Sequence, residues 1–214
     1  MKRNLPIIVI LLVLILDQWL KIYVKLDFKY YEQRDLIDGF IELYFIENKG
    51  MAFGWVLGGK IGKIILSVFR IIASFFIFFY IRKLYKTVAP LGYMVCIGLI
   101  FAGAVGNIID SLLYGVVFTD SYTHTLAQFM PEQGGYAPML FGRVVDMLHF
   151  TTRWPEWMPY LGGGEVFSPI FNIADASITA GIIAIFIFYK SYFEKEFSKK
   201  KKSEVNEEDV VTSE

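Results

Sequence analysis

Cysteine and histidine are almost missing from this chain: there is one thiol, Cys96, and there are two imidazoles, His124 and His149. A single thiol cannot close an internal disulfide, so cysteine usage leaves the redox compartment open. Cys96 lies in an apolar run with no histidine near it, a setting that does not favour the thiolate a nucleophile needs. Neither histidine falls in an H-E-x-x-H or comparable ligand pattern, which argues against a zinc enzyme and leaves both as interfacial polar residues. Net charge is lacking too, with 21 Lys and Arg against 21 Asp and Glu. Nucleic acid is not among the expected partners. Nor does a small-residue cleavage site follow the first apolar segment, although Lys2 and Arg3 precede it as in a secretory signal. That segment therefore reads as a retained helix. No internal repeat is found.

What the chain has in abundance is apolar surface. Of its 214 residues 55% are hydrophobic and 17% aromatic, well beyond what a soluble domain of this length needs. Four apolar segments, 5–24, 64–81, 91–113 and 170–189, come near the ~20 residues that cross a bilayer. An even number of spans puts both termini on one side. Lys2 and Arg3, then Arg82, Lys83 and Lys86, then Lys190, Lys195 and Lys199 to Lys202 make that side cytoplasmic. The two long connections, about 27–60 and 114–169, then face outward. In the first, "FIELYFIENKGMAFGW" reads as short strands broken at Asn48 to Gly50. The second is rich in Pro, Gly and Trp, and its Trp residues suit a membrane interface. The expected architecture is an α-helical membrane protein of four transmembrane helices, with an extracytoplasmic β-rich cradle and a second outer loop insertion. Residues 1–190 form the membrane domain. Residues 191–214, a basic run followed by an acidic one, form a charged cytoplasmic tail read as disordered.

The spans are not uniformly apolar. Asp17 and Lys21 lie in the first, Asn107 and Asp110 in the third, and Asn172 and Asp175 at the start of the fourth. At a rise of ~1.5 Å per residue these groups share the outer half of the bilayer. A lone charge there costs at least ~2.5 to 3.5 kcal/mol, so several at one depth are expected to face one another or a wet cavity. Asp17 and Lys21, spaced i,i+4, serve equally well as a stabilising pair or as chemistry. Arg70, in the second span, reads as an arginine whose stem reaches water or a carboxylate. "GNIID" and "FNIAD" each set an amide three residues before a carboxylate, on one helix face, where the amide can hold the acid's rotamer. The small residues Gly98, Ala102, Gly103 and Gly106 permit close helix packing, which accounts for the glycines but not for the aspartates. A further carboxylate, Asp146 in "FGRVVDMLHF", lies just before the fourth span and can meet Asp175 at the bilayer surface.

In order along the chain, "DQWLK" (Asp17, Gln18, Lys21), "NKGMAFG" (Asn48, Gly50), "GNIID" (Asn107, Asp110), "GRVVD" (Asp146) and "FNIADASI" (Asn172, Asp175) resemble the lipoprotein signal peptidase family, signal peptidase II of bacteria. The resemblance implies an intramembrane aspartic endopeptidase that cuts a diacylglyceryl-modified prolipoprotein just before its lipidated cysteine. It would act in the bacterial cytoplasmic membrane with its active site at the outer face. Asp146 and Asp175 would be the catalytic pair. Asn48, Gly50, Asn107, Asp110, Asn172, Asp17, Lys21 and Arg143 would support them or the substrate. No metal or organic cofactor is required, and the partners would be lipidated prolipoproteins and membrane lipids, with a monomer assumed.

Two departures from the family pattern stand out. Ser111 occupies a position where the family usually has an arginine, a role that another residue such as Arg143 would have to supply. Residues 116–141 also separate two motifs that the family keeps close, and within this insertion "GVVFTD" makes Asp120 a rival to Asp146. "GRVVDML" keeps the Gly, paired Val and Asp spacing, which favours Asp146. The insertion, flanked by Gly115 and Gly142, reads equally as a lid or as an elaboration packed on the outer domain. Outside the peptidase class, a small proton-coupled transporter would spread its polar residues over both leaflets, and an assembly protein would have no use for two poised carboxylates.

Overall fold

Apolar residues outside and charged residues inside characterise the first helix, α1 (Leu5–Asp27), the reverse of a helix in water. Leu11, Leu12, Ile15, Leu16 and Trp19 are exposed, whereas Asp17, Lys21 and Lys25 are buried. The exposed apolar face is stable only against lipid. In the computed structural model the described residues are 2–48, 59–87 and 89–196. Gly50 and the rest of its motif after Asn48 lie outside them, as does the tail beyond residue 196.

Helix α2 (Gly59–Lys86) repeats the pattern with Phe69, Ile72, Phe75, Phe76 and Phe79 exposed. It outruns the 64–81 apolar stretch because backbone hydrogen bonding does not end where lipid does. Helix α3 (Leu91–Ile109) is the central one, packed by α1, α2 and the last helix, α4 (Ile173–Phe188). Its small residues allow that crowding. A Cβ on Gly103 would lie 2.2 Å from the Ala174 carbonyl oxygen, so α4 reaches α3 there only because the side chain is missing. Three described helices are long and apolar enough to cross a membrane. The fourth candidate is α4 together with residues 190–196, which turn away from it by 89°.

α3 runs on through a π-helical turn (Asp110–Tyr114) and one last turn (Gly115–Val117). Such widened turns are common at functional sites. Outside the spans lies an antiparallel sheet in the order β1 (Gln33–Ile37), β2 (Ile41–Asn48), β3 (Val144–Phe150). β2 falls where the sequence places a strand, β1 precedes the stretch read as strands, the strand expected after Gly50 lies outside the described residues, and β3 comes from the second connection. Its run "VVDMLHF" is buried at five of seven positions without a break in period two, so it carries no strand signature. Pairing of Ile46 with Asp146 and of Asn48 with Val144 fixes β3 over the helix ends.

Two apolar clusters bracket the polar layer. One holds Val24, Phe28, Phe45, Phe118, Val145 and Met147 under the sheet. The other holds Leu84, Tyr93, Met94, Ile97 and Ile185 at the opposite end of the helices.

The 116–141 insertion is a closed excursion. Phe118 bridges to Phe129, Tyr136 donates its N–H to the Phe118 carbonyl at 3.0 Å, and Ala137 donates to Gly115 at 2.9 Å. Gly142 then donates to the Ser111 carbonyl at 2.9 Å, so the chain resumes beside the point where it left. Its flanking glycines are close-contact positions: a Cβ would lie 2.8 Å from Ala137 O at Gly115 and 2.0 Å from Asp110 O at Gly142. The two ends of the segment are tied to each other and to the end of α3.

Candidate active site

The site forms where α4 begins. Asn172 caps that helix, its Oδ1 accepting the Asp175 N–H at 2.8 Å. Asp17, from the middle of α1, supplies a second cap, its Oδ1 accepting the Ala174 N–H at 2.8 Å. Both carboxylate and amide satisfy donors that a helix start leaves open, and Asp17 adds the charge that the helix dipole favours there. Fixing the first turn of α4 fixes the direction of Asp175.

The other oxygen of Asp17 belongs to a buried ion network. Lys21 Nζ lies 2.9 Å from Asp17 Oδ2, 2.9 Å from Asp110 Oδ2 and 2.9 Å from Asn107 Oδ1, which uses all three of its donors. Gln18 donates to Asp110 Oδ1 at 2.9 Å and also to Asp17 and the Gly106 carbonyl. A Cβ on Gly106 would lie 2.7 Å from Asp17 Oδ2, so a bare backbone is what lets α1 and α3 share these groups. Asp110 also accepts the Val145 N–H at 3.3 Å, tying the network to β3.

Two amides then connect this network to the remaining carboxylates. Asn107 Nδ2 donates to Asp175 Oδ1 at 2.8 Å, and Asn172 Nδ2 donates to Asp146 Oδ1 at 2.6 Å. Asn172 Nδ2 also lies 3.3 Å from Asn107 Oδ1, so the amides touch while each holds one aspartate. Asp146 is buried, and burial first, then the neighbouring charge of Asp175, pushes its carboxyl up to about 8. Asp175 is half-buried and opens on an apolar groove walled by Phe40, Phe150, Phe167, Phe171, Ala180 and Ile183.

Asp17, Lys21, Asn107, Asp110, Asp146, Asn172 and Asp175 are thus one connected cluster. Asn48 borders a small pocket with Lys63, Arg70 and Ser111. Arg143 is drawn elsewhere, into a second ion cluster that the sequence does not announce. It reaches Glu47 Oε2 at 2.9 Å and Asp120 Oδ1 at 2.5 Å, while Lys25 reaches Glu47 Oε1 at 2.5 Å and Ser121 Oγ at 2.9 Å. Among the described residues no hydrogen bond joins Asp120 to Asn107, Asn172, Asp146 or Asp175. Burial works to raise the Asp120 carboxyl, but the hydrogen bonds and charge of Arg143 outweigh it and hold it below the ordinary carboxylate range. Asp120→Asn should therefore keep most of the parent's turnover and lose no more than about 1 kcal/mol of stability, as for a partly exposed pair. Loss of turnover in this variant would reinstate the rival. Lys25 is absent from the sequence reading, and Gln18 enters it only as part of "DQWLK", without a role. The signal was present for both, since each is a polar side chain one helical turn or less from a polar neighbour in an apolar run.

No group of three or more His, Cys, Asp or Glu side chains poised to hold a metal occurs among the described residues. His149 pairs instead with Glu42, Nδ1 to Oε1 at 2.7 Å across the β2–β3 pair.

Comparison with known proteins shows the family of the chain. A family model described as Signal peptidase (SPase) II matches residues 9–191. A lipoprotein signal peptidase of Porphyromonas gingivalis is 41% identical over 186 residues, covering 84% of this chain and 80% of that protein. One of Amoebophilus asiaticus is 30% identical over 208 residues, covering 94% and 84%. A solved bacterial membrane enzyme structure superposes with a TM-score of 0.57 at 26% identity, covering 92% of each chain. With its apolar helices and small antiparallel sheet, this bacterial membrane protein belongs to the signal peptidase II family.

Proposed function

We propose that the protein is an aspartic endopeptidase that removes the signal peptide from diacylglyceryl-modified prolipoproteins by cutting before the lipidated cysteine. The observation that carries the proposal is the pair Asp146 and Asp175: two carboxylates from different elements, each held by an amide, with the amides in contact and one carboxylate at the wall of an apolar groove. Neighbouring carboxylates share a proton and titrate as a unit. Asp146, buried and raised to about 8, is the member that carries this proton at neutral pH. Asp175, facing the groove, is the member that meets water.

The chemistry follows from these positions. Asp175 takes a proton from a water whose oxygen adds to the scissile carbonyl carbon, while Asp146 gives its proton to the carbonyl oxygen. The resulting diol collapses as Asp175 passes the proton to the leaving nitrogen, the C–N bond breaks, and a diol hydroxyl returns a proton to Asp146. Asn107 and Asn172 keep both carboxylates aimed throughout. Lys21, Asp17, Asp110 and Gln18 hold the amides and the helix start, and Asn48 belongs to the cradle side of the substrate path.

The lipid supplies the positioning. The groove beside Asp175 has a volume of about 680 Å³ and an apolar lining, suited to an acyl chain or an apolar peptide segment. With both termini cytoplasmic and the polar layer in the outer half of the bilayer, an acyl-anchored cysteine would bring the preceding peptide bond to the depth of the aspartates. The test is cleavage of a synthetic prolipoprotein peptide by the purified protein in detergent, with and without the diacylglyceryl group. The unlipidated peptide is expected to lose about a hundredfold or more in kcat/KM, the size of a tethering effect. Equal turnover of the two would remove lipid recognition from the proposal.

A further inference from the structure

The second ion cluster has no part in the mechanism above, yet it shares a helix face with the first. Asp17, Lys21 and Lys25 follow one another at every fourth position along the buried face of α1. The first two belong to the aspartate network, and the third belongs to a group built around Glu47 of β2. Lys25 Nζ lies 2.5 Å from Glu47 Oε1 and donates to Ser121 Oγ at 2.9 Å, Ser121 donates to the same carboxylate oxygen at 3.1 Å, and Arg143 donates to the other oxygen at 2.9 Å. The side chains of Lys25 and Glu47 are 0% and 1% exposed, so this is a buried group whose members depend on one another and not a surface pair.

The 116–141 insertion completes this cluster. Asp120 gives Arg143 a second carboxylate at 2.5 Å, Ser121 bridges Lys25 to Glu47, and the rings of Phe118 and Tyr136 lie 5.4 and 5.1 Å from Lys25 Nζ. Tyr136 also holds Arg143 twice: its ring centre lies 4.8 Å from the guanidinium carbon, and its hydroxyl accepts the Arg143 backbone N–H at 2.6 Å. These contacts fall at the start of β3. Glu47 stands opposite Val145, and Ile46 stands opposite Asp146. The first network holds Val145 itself, through its N–H to Asp110 at 3.3 Å and through its carbonyl, which accepts from Asn172 Nδ2 at 3.3 Å. Residue 143 is therefore pinned by one cluster and residue 145 by the other, and Asp146 comes next along the strand.

We propose that Arg143, Glu47 and Tyr136 are positioning residues for Asp146, and that the insertion is a brace that holds the start of β3 over the helix ends. The inference rests on the dyad reading above. None of the three touches a reacting atom in this account; they act through the backbone of residues 143–145, whose path sets where the Asp146 carboxylate leaves the strand. A shift of about 1 Å at a reacting group can cost about a hundredfold in rate. Asp120 is the member with the smallest share, because Arg143 keeps Glu47 and Tyr136 without it.

The experiment measures kcat and KM for the lipidated peptide, together with the melting temperature, for the full chain and for Arg143→Met, Arg143→Lys and Tyr136→Phe, with Asp146→Asn run alongside. All assays are made well below the lowest melting temperature, so that a loss of stability alone leaves kcat where it was. Arg143→Met is expected to lower kcat about ten- to a hundredfold and to leave KM within about twofold of the parent, because no residue of the cluster lines the apolar groove. Arg143→Lys keeps a cation for Glu47 and should recover part of the loss. Tyr136→Phe deletes only the hydroxyl that receives the Arg143 N–H and should lower kcat severalfold, again with KM unmoved. Should Arg143→Met fail to fold, Tyr136→Phe decides alone, since it keeps its ring and every charge of the cluster. Parent kcat in the folded variants, whatever their melting temperatures, would overturn the proposal and leave the insertion a purely structural addition. A raised KM with parent kcat would overturn it too. An active Asp146→Asn would instead remove the dyad reading, whereas an inactive Asp146→Asn beside parent kcat in the Arg143 and Tyr136 variants would sink the inference alone.

Discussion

Asp146→Asn and Asp175→Asn are each expected to reduce cleavage of a lipidated prolipoprotein peptide by a factor of about 10³ or more, because each removes one of the two proton-transfer partners of the proposed mechanism. The folded state should survive both changes. Asn at 146 still offers an oxygen to Asn172 Nδ2, which lies 2.6 Å from the carboxylate it replaces. For Asp146 the structure goes further and expects a gain. Its carboxyl is raised from 3.8 to about 8 on folding, so between those values the folded chain holds a proton that the unfolded chain has released. Stability must then fall as pH rises through that window. The asparagine has no such slope. The melting temperature of Asp146→Asn in detergent should therefore exceed the parent's by a margin that grows from pH 5 to pH 8, alongside its loss of turnover. A margin independent of pH would show that the carboxyl is not raised, and substantial activity in either variant would refute the assignment of the pair.

The largest loss of stability is expected from Lys21→Met. The ammonium is buried with 0% of its side chain exposed, and its partners Asp17 and Asp110 are 1% and 0% exposed. Removing one member of such a group leaves the others charged and unpaired, at a cost of about 3 to 5 kcal/mol. Two elements would loosen with it, since Asp17 also caps α4 at Ala174 and Asp110 also accepts the β3 amide of Val145. Activity should fall together with the melting temperature, because the start of α4 aims Asp175. Adding Asp110→Asn to Lys21→Met should recover part of the stability by removing one stranded charge. The surface pair of Arg34 with Asp27, 41% and 50% exposed, makes the contrast: Arg34→Ala should cost about 1 kcal/mol at most. Similar melting temperatures for the Lys21 and Arg34 variants would contradict the view of Lys21 as the hub of the layer.

Much of this was legible in the chain because membrane helices carry their evidence locally. An apolar run near the bilayer thickness, a basic flank and an aspartate at a wrong depth need no knowledge of the rest of the fold. The i,i+4 spacing of Asp17 and Lys21 and the i,i+3 spacings of Asn107 with Asp110 and Asn172 with Asp175 put those groups on common faces before any packing is known. The decision between Asp120 and Asp146 was of another kind. Both follow a Gly and a Val at similar spacing, and only the return of Gly142 to Ser111 shows why 26 inserted positions, 116–141, leave Asp146 at the helix ends while Asp120 is taken by Arg143. Arg143 itself, read as a substitute for the missing arginine beside Asp110, is bonded to Glu47 and Asp120.

The sequence by itself determined that the chain crosses a membrane, how many apolar segments it has to do so, and which polar residues share one depth, since all of these follow from residue type and rise along a helix. Tertiary structure decided the rest: that "VVDMLHF" is a strand, that Asp17 of the first helix caps the fourth, and that Gln18 and Lys25 are network members. Each of these depends on a neighbour distant along the chain, such as the pairing of Asp146 with Ile46 or of Asp17 with Ala174. A strand buried on both faces has no period to betray it, and a hydrogen bond between elements 157 positions apart leaves no trace in either local pattern.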